Sequence, residues 1–359
     1  MAMRGKIAVV LGTRPEIIKM SPVIRALEAR HLDHFVLHTG QHYSYNMDRV
    51  FFESLRLRSP EHNLGVGSGS HAEETAKMLV GIEKILMQEK PEAILVEGDT
   101  NTVLAGALAA SKLHIKVGHV EAGLRSFDME MPEEVNRIVA DHVSDLLFAP
   151  TKVSEKNLLS EGIDPQKIHV TGNTIVDAVR QNLDLAMKAE LPPGLATERY
   201  VLATLHRQEN VDDPARLRGL MEALARVHEA FGMPVLYPIH PRARKRLSEF
   251  GVRAGKGVVL AEPVDYLTFL RLQKEATLVL TDSGGVQEEA CILGVPCVTL
   301  RENTERPETV EVGANLLAGT DPASILSAVK EMLNRGKKWE NPFGDGMAAE
   351  RIVDILERV

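Results

Sequence analysis

The feature that most constrains the fold is a regular alternation of short apolar segments with amphipathic helical segments along nearly the whole chain. The apolar segments, such as residues 7–11, 93–96 and 278–280, contain mainly Val, Ile, Leu and Ala, with no alternating polar residues. Strands of this kind are buried on both faces, as in a parallel sheet covered by helices. The alternation therefore predicts an α/β fold built on parallel sheets.

Two such series follow one another along the chain. The first ends near residue 170, and the second begins with "YVLATLHR" at residues 200–207. A chain of 359 residues is also long for one hydrophobic core. We therefore predict two doubly wound, Rossmann-like domains, with a boundary near Thr171–Asn173, that face a central cleft in which ligands bind.

Composition narrows the partners that the chain is expected to have. The formal net charge of −8 argues against nucleic-acid binding, which requires clustered basic residues. No apolar stretch approaches the roughly 20 residues of a membrane span, and the short apolar run near the N-terminus is predicted to be a strand. Cys291 and Cys297 fit neither a CxxC redox pair nor a zinc site, so we expect a reduced, cytoplasmic protein without membrane partners.

Polar clusters follow most of the predicted strands. They read "GTRPE" (12–16), "TGQH" (39–42), "EGDTN" (97–101), "HVEAG" (119–123), "TLHRQEN" (204–210), "YPIHP" (237–241) and "TDSGG" (281–285). Turn chemistry explains the glycines, aspartates and serines. It does not require the other functional side chains at the same ends, which are Arg14, Lys19, Gln41, His42, Asp99, Glu121, His206 and Arg207. As a set they indicate a functional cleft at the carboxyl ends of the strands.

The segment "DSGGVQEE" is suited to holding an anion. Gly284 and Gly285 lack Cβ atoms, so a ligand oxygen can approach the backbone N–H groups that open the next helix. Glu288 and Glu289 are predicted in the first turn of that helix, where glutamates complement the helix dipole. Glu289 could instead accept hydrogen bonds from a ribose diol, and Arg306 in "TERPE" could bind phosphate.

Two other motifs are weaker functional signals. "GVGSGS" at 65–70 resembles a dinucleotide-binding loop, but no buried strand leads directly into it. We interpret it as a loop before a helix that Ser70 and Glu73 begin with a capping box. Histidine is plentiful, yet no pair has metal-ligand spacing such as HExxH, so no metal site is predicted.

As a set, several motifs resemble the non-hydrolysing UDP-N-acetylglucosamine 2-epimerases. They are "GTRPEIIK", "TGQH", "EGDT", "GHVEAGLRS", "PEEVNR", "TGNTIVDA", "LHRQEN", "LTDSGGVQEE" and "TERPE". The resemblance implies the architecture of GT-B glycosyltransferases, with residues 1–172 joined by the C-terminal helix 343–359 and a second domain of residues 173–342 that binds UDP. It also implies a cytoplasmic homodimer that interconverts UDP-GlcNAc and UDP-ManNAc, an isomerase with no metal or nicotinamide cofactor.

The resemblance assigns expected roles to matching residues. Arg14, Lys19, Ser283, Gly284, Gly285 and Arg306 would hold the diphosphate, Glu289 the ribose and Phe269 the uracil. His206 would contact phosphate and support its departure, and Asp99, Glu121 and Glu133 are the candidate acid/base carboxylates. Gln41, His42 and Arg207 would also bind the UDP-N-acetylhexosamine substrate. Glu133 has a second interpretation, that of an ordinary glutamate in the first turn of a helix.

Several functions remain open at this point. "TGQHYSYNMDRVFF" is similar to relatives that act on other UDP-2-acetamido sugars. A hydrolysing epimerase would release free ManNAc and UDP, and a GT-B glycosyltransferase would transfer the sugar to an acceptor. A regulator that binds a nucleotide sugar without turnover would use the same fold.

Overall fold

The computed structural model describes residues 5–40, 51–191, 199–336 and 338–358. The chain divides into two compact units. Unit 1 contains residues 1–181 and 343–359, and unit 2 contains residues 182–342. The division falls inside the helix Thr174–Ala186, whereas the boundary expected from sequence precedes this helix.

Unit 1 is built on a sheet with helices between its strands. The strands are β1 (Ile7–Leu11), β2 (His34–His38), β3 (His62–Asn63), β4 (Ala93–Glu97), β5 (Lys116–Val120), β6 (Leu146–Ala149) and β7 (Ile168–Val170). The helices are α1 (Arg14–Ala29), α2 (His71–Glu89), α3 (Asn101–Lys112), α4 (Pro132–Val143), α5 (Lys152–Ser160), α6 (Thr174–Ala186) and a 3-10 turn at Pro165–Lys167. Ser70 accepts a hydrogen bond from the Glu73 N–H at 3.3 Å, which confirms the predicted capping box.

The seven strands of unit 1 are parallel and lie in the order β3-β2-β1-β4-β5-β6-β7. One face of the sheet packs Val10 and Ile94 against Met78, Ile82 and Val103, all fully buried. Because helices cover such strands, the strand sequences are apolar at consecutive positions.

Unit 2 repeats the same plan with six strands. Its elements are β8 (Val201–Thr204), α7 (Gln208–Val211), α8 (Pro214–Phe231), β9 (Val235–Pro238), α9 (Pro241–Glu249), β10 (Val258–Ala261), α10 (Tyr266–Glu275), β11 (Leu278–Thr281), α11 (Gly284–Leu293), β12 (Cys297–Thr299), α12 (Pro307–Glu311), β13 (Asn315–Leu317) and α13 (Pro322–Arg335). The sheet is parallel, in the order β10-β9-β8-β11-β12-β13. Two parallel sheets with alternating helices confirm the predicted α/β fold.

The last helix of the chain, α14 (Ala348–Leu356), belongs to unit 1. The Asp177 carboxylate accepts hydrogen bonds from the N–H groups of Ala348 and Ala349 at 3.2 and 3.0 Å. Arg30, directly after α1, donates to Glu350 and Asp354 on the same helix and to Glu357 just beyond it. Both ends of α14 are thereby held on unit 1.

Across the described ranges, no helix combines the length and the apolar character that spanning a membrane requires.

Candidate active site

Each sheet has one point at which the chain order of its strands reverses. In unit 1 this point lies between β1 and β4, and in unit 2 it lies between β8 and β11. Ligands of open α/β sheets bind beyond the carboxyl ends of the strands at such points, because the loops diverge there. The loops after these strands begin at residues 12, 98, 205 and 282. Of the side chains that the sequence predicts to be functional, they carry Asp99, His206, Arg207 and Ser283.

Asp99 lies in the loop after β4 and is held from two directions. The buried Arg137 guanidinium donates to the Asp99 carboxylate and also to Glu134. The Asn136 amide donates to the Asp99 backbone carbonyl at 2.9 Å. Since 30% of the Asp99 side chain remains exposed, its carboxylate is both oriented and accessible.

Glu121 follows directly after β5, in the turn that ends the strand. Its N–H and that of Ala122 both donate to the Phe148 carbonyl on β6, at 3.1 and 3.2 Å. Glu121 adopts φ 69°, in the left-handed region that non-glycine residues rarely occupy. Lys19 Nζ lies 2.6 Å from both Glu121 carboxylate oxygens, and the Asn173 amide donates at 3.0 Å. In this structure the Lys19 ammonium group binds Glu121, and its expected contact with diphosphate stays a prediction.

Glu16 is a buried carboxylate that the sequence analysis did not identify. It accepts hydrogen bonds from the N–H groups of Gly12 and Thr13, the latter at 3.0 Å, and from the Thr100 hydroxyl. It thus connects the loop after β1 with the loop that carries Asp99. The signal was present: Thr13 and Glu16 have the same spacing as the capping box that begins α2.

Ionisation of Glu16 should make the stability of the protein depend on pH. Burial raises the pKa of Glu16 to about 7, and hydrogen bonds from Thr100, Gly12 and Thr13 oppose the shift only in part. The folded chain therefore holds the proton to higher pH than the unfolded chain, and this stabilisation is lost as pH rises from about 4.5 through about 7. Over that window we expect the free energy of unfolding of the wild type to fall relative to that of Glu16→Gln by on the order of 1–3 kcal/mol.

Urea unfolding of both proteins, below and above this pH window, measures the difference. Glu83→Gln, at an exposed position of α2, is the control and should follow the wild type. An identical pH dependence in the wild type and Glu16→Gln would contradict the assignment.

The other candidates in unit 1 are Glu133, Arg14, Gln41 and His42. Glu133 lies in the first turn of α4, is partly exposed and makes no hydrogen bond within the described ranges. Arg14 lies with its guanidinium carbon 5.7 Å from the centre of the Phe51 ring. Gln41 and His42 fall outside the described residues.

Asp282 organises the loops of unit 2, a role that its position in a turn did not reveal. Its fully buried carboxylate accepts hydrogen bonds from the N–H groups of His206 and Arg207 at 3.0 Å and from the Asn210 amide at 3.2 Å. Burial alone would raise the pKa of Asp282, but His206, the Arg207 N–H and Asn210 together lower it. An ionised Asp282 therefore fixes the loop after β8 to the loop after β11.

His206 lies 2.9 Å from Asp282 through Nδ1. Because a carboxylate only accepts, Nδ1 carries the proton in this contact, and the opposite ring edge is left for a ligand. The His206 side chain is 42% exposed. It lines a cavity of about 180 Å³ with Phe269 and six other residues, which are Thr204, Leu205, Pro238, His240, Pro263 and Val264. Phe269, which is predicted to contact the uracil, and His206, which is predicted to contact phosphate, thus border the same cavity.

The glycine pair and Arg306 come together at the start of α11. A Cβ atom at Gly284 would lie 3.7 Å from the Arg306 guanidinium carbon, whereas one at Gly285 would meet no atom within 4 Å. Open space, helix N–H groups and a cation beside them can bind an anion. Ser283 is the residue that precedes this helix.

The prediction that Glu288 and Glu289 lie in the first turn of the helix is wrong. Since α11 begins at Gly284, both glutamates lie in its second turn. Glu288 is fully buried and accepts a hydrogen bond from Arg306 Nε at 2.7 Å, so it positions the arginine. Glu289 accepts a hydrogen bond from the Gln273 amide at 2.6 Å.

Arg207 Nη2 lies 3.8 Å from Glu305, a buried carboxylate that also binds Arg301.

Comparison with known proteins places these features in a family. The family model described as UDP-N-acetylglucosamine 2-epimerase matches residues 25–357. The UDP-N-acetylglucosamine 2-epimerase of Methanocaldococcus jannaschii is 56% identical over 98% of both chains. The UDP-2,3-diacetamido-2,3-dideoxy-D-glucuronate 2-epimerase of Pseudomonas aeruginosa is 44% identical over 99% of this chain and 100% of its own.

A solved structure agrees with the sequence relatives. The crystal structure of the M. jannaschii UDP-GlcNAc 2-epimerase in complex with UDP-GlcNAc and UDP matches with a TM-score of 0.93 at 55% identity. The match covers 99% of this chain and 100% of that chain. The two Rossmann-like units are thus GT-B-like, and the chain belongs to the UDP-N-acetylglucosamine 2-epimerase family.

Proposed function

We propose that this protein is a non-hydrolysing UDP-N-acetylglucosamine 2-epimerase, an isomerase that interconverts UDP-GlcNAc and UDP-ManNAc. The observation that carries the proposal is the full-length similarity to the M. jannaschii enzyme, combined with acidic and basic side chains at the switch point of each sheet.

In this proposal unit 2 binds the nucleotide. Phe269 lies against the uracil, and Glu289 accepts hydrogen bonds from the ribose. The diphosphate binds at Ser283, Gly284 and Gly285, where helix N–H groups are available. Arg306, held by Glu288 beside this helix terminus, neutralises its charge. His206 donates to the phosphate from the ring edge that faces away from Asp282. Arg207, the next residue, also binds the substrate.

Unit 1 supplies the proton chemistry. The sugar C2–H bond is not adjacent to a carbonyl group, so its direct deprotonation is unfavourable. Departure of UDP from C1 develops oxocarbenium character, which makes the C2 proton acidic. One carboxylate of Asp99, Glu121 and Glu133 removes that proton, and the C1–O bond electrons leave with UDP. The products of this step are UDP and 2-acetamidoglucal.

The reverse addition completes the epimerisation. A protonated carboxyl group delivers a proton to C2 from the opposite face, and UDP re-forms the bond to C1. Arg14, Gln41 and His42 are proposed to bind the substrate, and Lys19 orients Glu121 through the contacts that it makes here. The accessible Asp99 carboxylate, oriented by Arg137, fits a group that exchanges protons with the sugar.

The test is incubation of the purified protein with UDP-GlcNAc in heavy water. We expect a mixture of UDP-GlcNAc and UDP-ManNAc with deuterium at C2 in both, measured by mass spectrometry and NMR. Free ManNAc accumulating with stoichiometric UDP would instead identify a hydrolysing enzyme. Sugar transfer that requires an acceptor, with no deuterium at C2, would identify a glycosyltransferase, and UDP-GlcNAc that binds without exchange would identify a binding protein.

A second substrate is worth testing because of the 44% identity to the P. aeruginosa enzyme. UDP-2,3-diacetamido-2,3-dideoxy-D-glucuronate should therefore be compared with UDP-GlcNAc under the same conditions. The higher kcat/KM identifies the preferred sugar, while C2 exchange on either one supports the reaction.

A further inference from the structure

Glu97 is a buried acid for which the proposed chemistry has no use. It is the last residue of β4, two positions before Asp99, and its side chain is 2% exposed. Its Oε1 atom lies 3.3 Å from Lys19 Nζ, the same ammonium group that contacts both oxygens of Glu121. The carboxyl groups of Glu97 and Glu121 are also within hydrogen-bonding reach of each other. Two acids and one base therefore share a buried site.

The charges of this cluster do not balance if both acids ionise. Lys19 would neutralise one carboxylate, and the second negative charge would remain buried beside the first. Carboxyl groups in such contact retain one proton between them, because a low dielectric does not screen their repulsion.

The two acids differ in their hydrogen-bond partners. Glu121 accepts hydrogen bonds from Lys19 and Asn173, which stabilise its ionised form. Glu97 Oε1, in contrast, is buried and accepts no hydrogen bond within the described residues. Burial raises the pKa of Glu97 well above its ordinary range, against the opposing charge of Lys19, and Glu121 and Glu16 raise it further.

We infer that Glu97 is a positioning residue: a neutral carboxylic acid whose O–H donates to Glu121 and keeps that carboxylate ionised and oriented. The inference rests on the proposed function, in which Glu121 exchanges a proton with the sugar. No proton leaves Glu97 during the reaction. Its O–H donates to Glu121 alongside the hydrogen bonds from Lys19 and Asn173. Loss of that proton at alkaline pH removes the donor and brings a second negative charge against Glu121.

The other charged groups around Glu97 determine the controls. Helix α1 contributes Lys19 and Glu16, and the turn after β5 contributes Glu121. Asp99 lies in the loop after β4, near Glu16. Glu16 also titrates, with a pKa of about 7. A pH effect that is lost in Glu97→Gln but kept in Glu16→Gln therefore belongs to Glu97.

The proton on Glu97 can be observed directly. The infrared spectrum of the wild type at neutral pH should contain the C=O stretching band of a protonated carboxylic acid. We expect this band to be missing from the spectrum of Glu97→Gln, so that it appears in the difference between the two spectra. Glu83→Gln, at an exposed position, should lose no such band. Absence of any carboxylic acid band that depends on Glu97 would overturn the inference. This measurement needs no turnover, so it remains decisive even if the proposed reaction fails in the heavy-water test.

Kinetics test the positioning role. Glu97→Gln keeps the length, the neutrality and an N–H donor, so we expect its kcat for C2 exchange to be within about threefold of the wild-type value. In the wild type kcat should decrease at alkaline pH, when Glu97 loses its proton, and in Glu97→Gln this decrease should be absent. Glu97→Met keeps the length but has no donor. We expect its kcat to fall by about 10-fold or more, with KM for the UDP-sugar unchanged.

Equal activity of the Gln and Met variants, whether both high or both low, would show that the donor has no kinetic role. A decrease of kcat at alkaline pH that is the same in Glu97→Gln as in the wild type would also show that Glu97 has no kinetic role. If the wild type itself shows no C2 exchange, the proposed function fails, and the infrared result alone decides the state of Glu97.

Discussion

Asp99→Asn is expected to lower kcat for C2 proton exchange by about 10²- to 10⁴-fold, the usual contribution of a positioned acid or base. The amide keeps the size of the side chain and can still accept a hydrogen bond from Arg137, so the loop should retain its conformation. It cannot take or return a proton at neutral pH. UDP affinity should be unchanged, because Asp99 is not among the residues proposed to bind UDP. Deuterium incorporation and calorimetric titration with UDP measure the two quantities.

Glu121→Gln is expected to have an effect of similar size, and Asp128→Asn is a control at another loop carboxylate of unit 1. Exchange at near-wild-type rates in Asp99→Asn and Glu121→Gln would remove both from the acid/base role. Glu133→Gln would then be the remaining test of the three carboxylates.

Arg306→Ala is expected to have two separable effects. Loss of a charge-assisted bond to phosphate should weaken UDP binding by roughly 1.5–3 kcal/mol. The substitution also removes the arginine from the buried Glu288, which should lower the free energy of unfolding by about 3–5 kcal/mol. Calorimetry with UDP and urea unfolding measure these changes.

A double variant separates them. Arg306→Met with Glu288→Gln removes both charges of the pair, so most of the stability should return while UDP affinity stays low. Arg226→Ala, which breaks an exposed ion pair with Glu222 on α8, is the matched control and should change neither quantity appreciably. UDP affinity equal to that of the wild type in the double variant would exclude Arg306 from the phosphate site.

Much of the architecture could be predicted because it depends on local patterns. Consecutive apolar residues mark strands buried on both faces, and the capping box at Ser70 marks the start of α2. The positions of polar residues at strand ends also follow from the order of elements. Strand order within each sheet was not predicted, since it depends on pairing between distant segments.

The contacts inside the candidate site were less predictable. Lys19 and Glu121 are 102 residues apart, and no local pattern indicates that they form an ion pair. Asp282 looked like an ordinary turn residue, although its carboxylate connects two loops. Glu288 looked like a helix-dipole residue, although it lies in the second turn of α11 and its carboxylate binds Arg306. Such roles depend on which side chains the fold brings together.

The attachment of α14 to unit 1 has a consequence for synthesis of the chain. A ribosome adds residues from the amino terminus, so it completes all of residues 182–342 before it adds the helix that binds Arg30 and Asp177. The surface of unit 1 that this helix covers is therefore open while unit 2 emerges. A premature stop codon shortly before residue 348 would leave a protein with an intact second sheet and a permanently uncovered patch on the first.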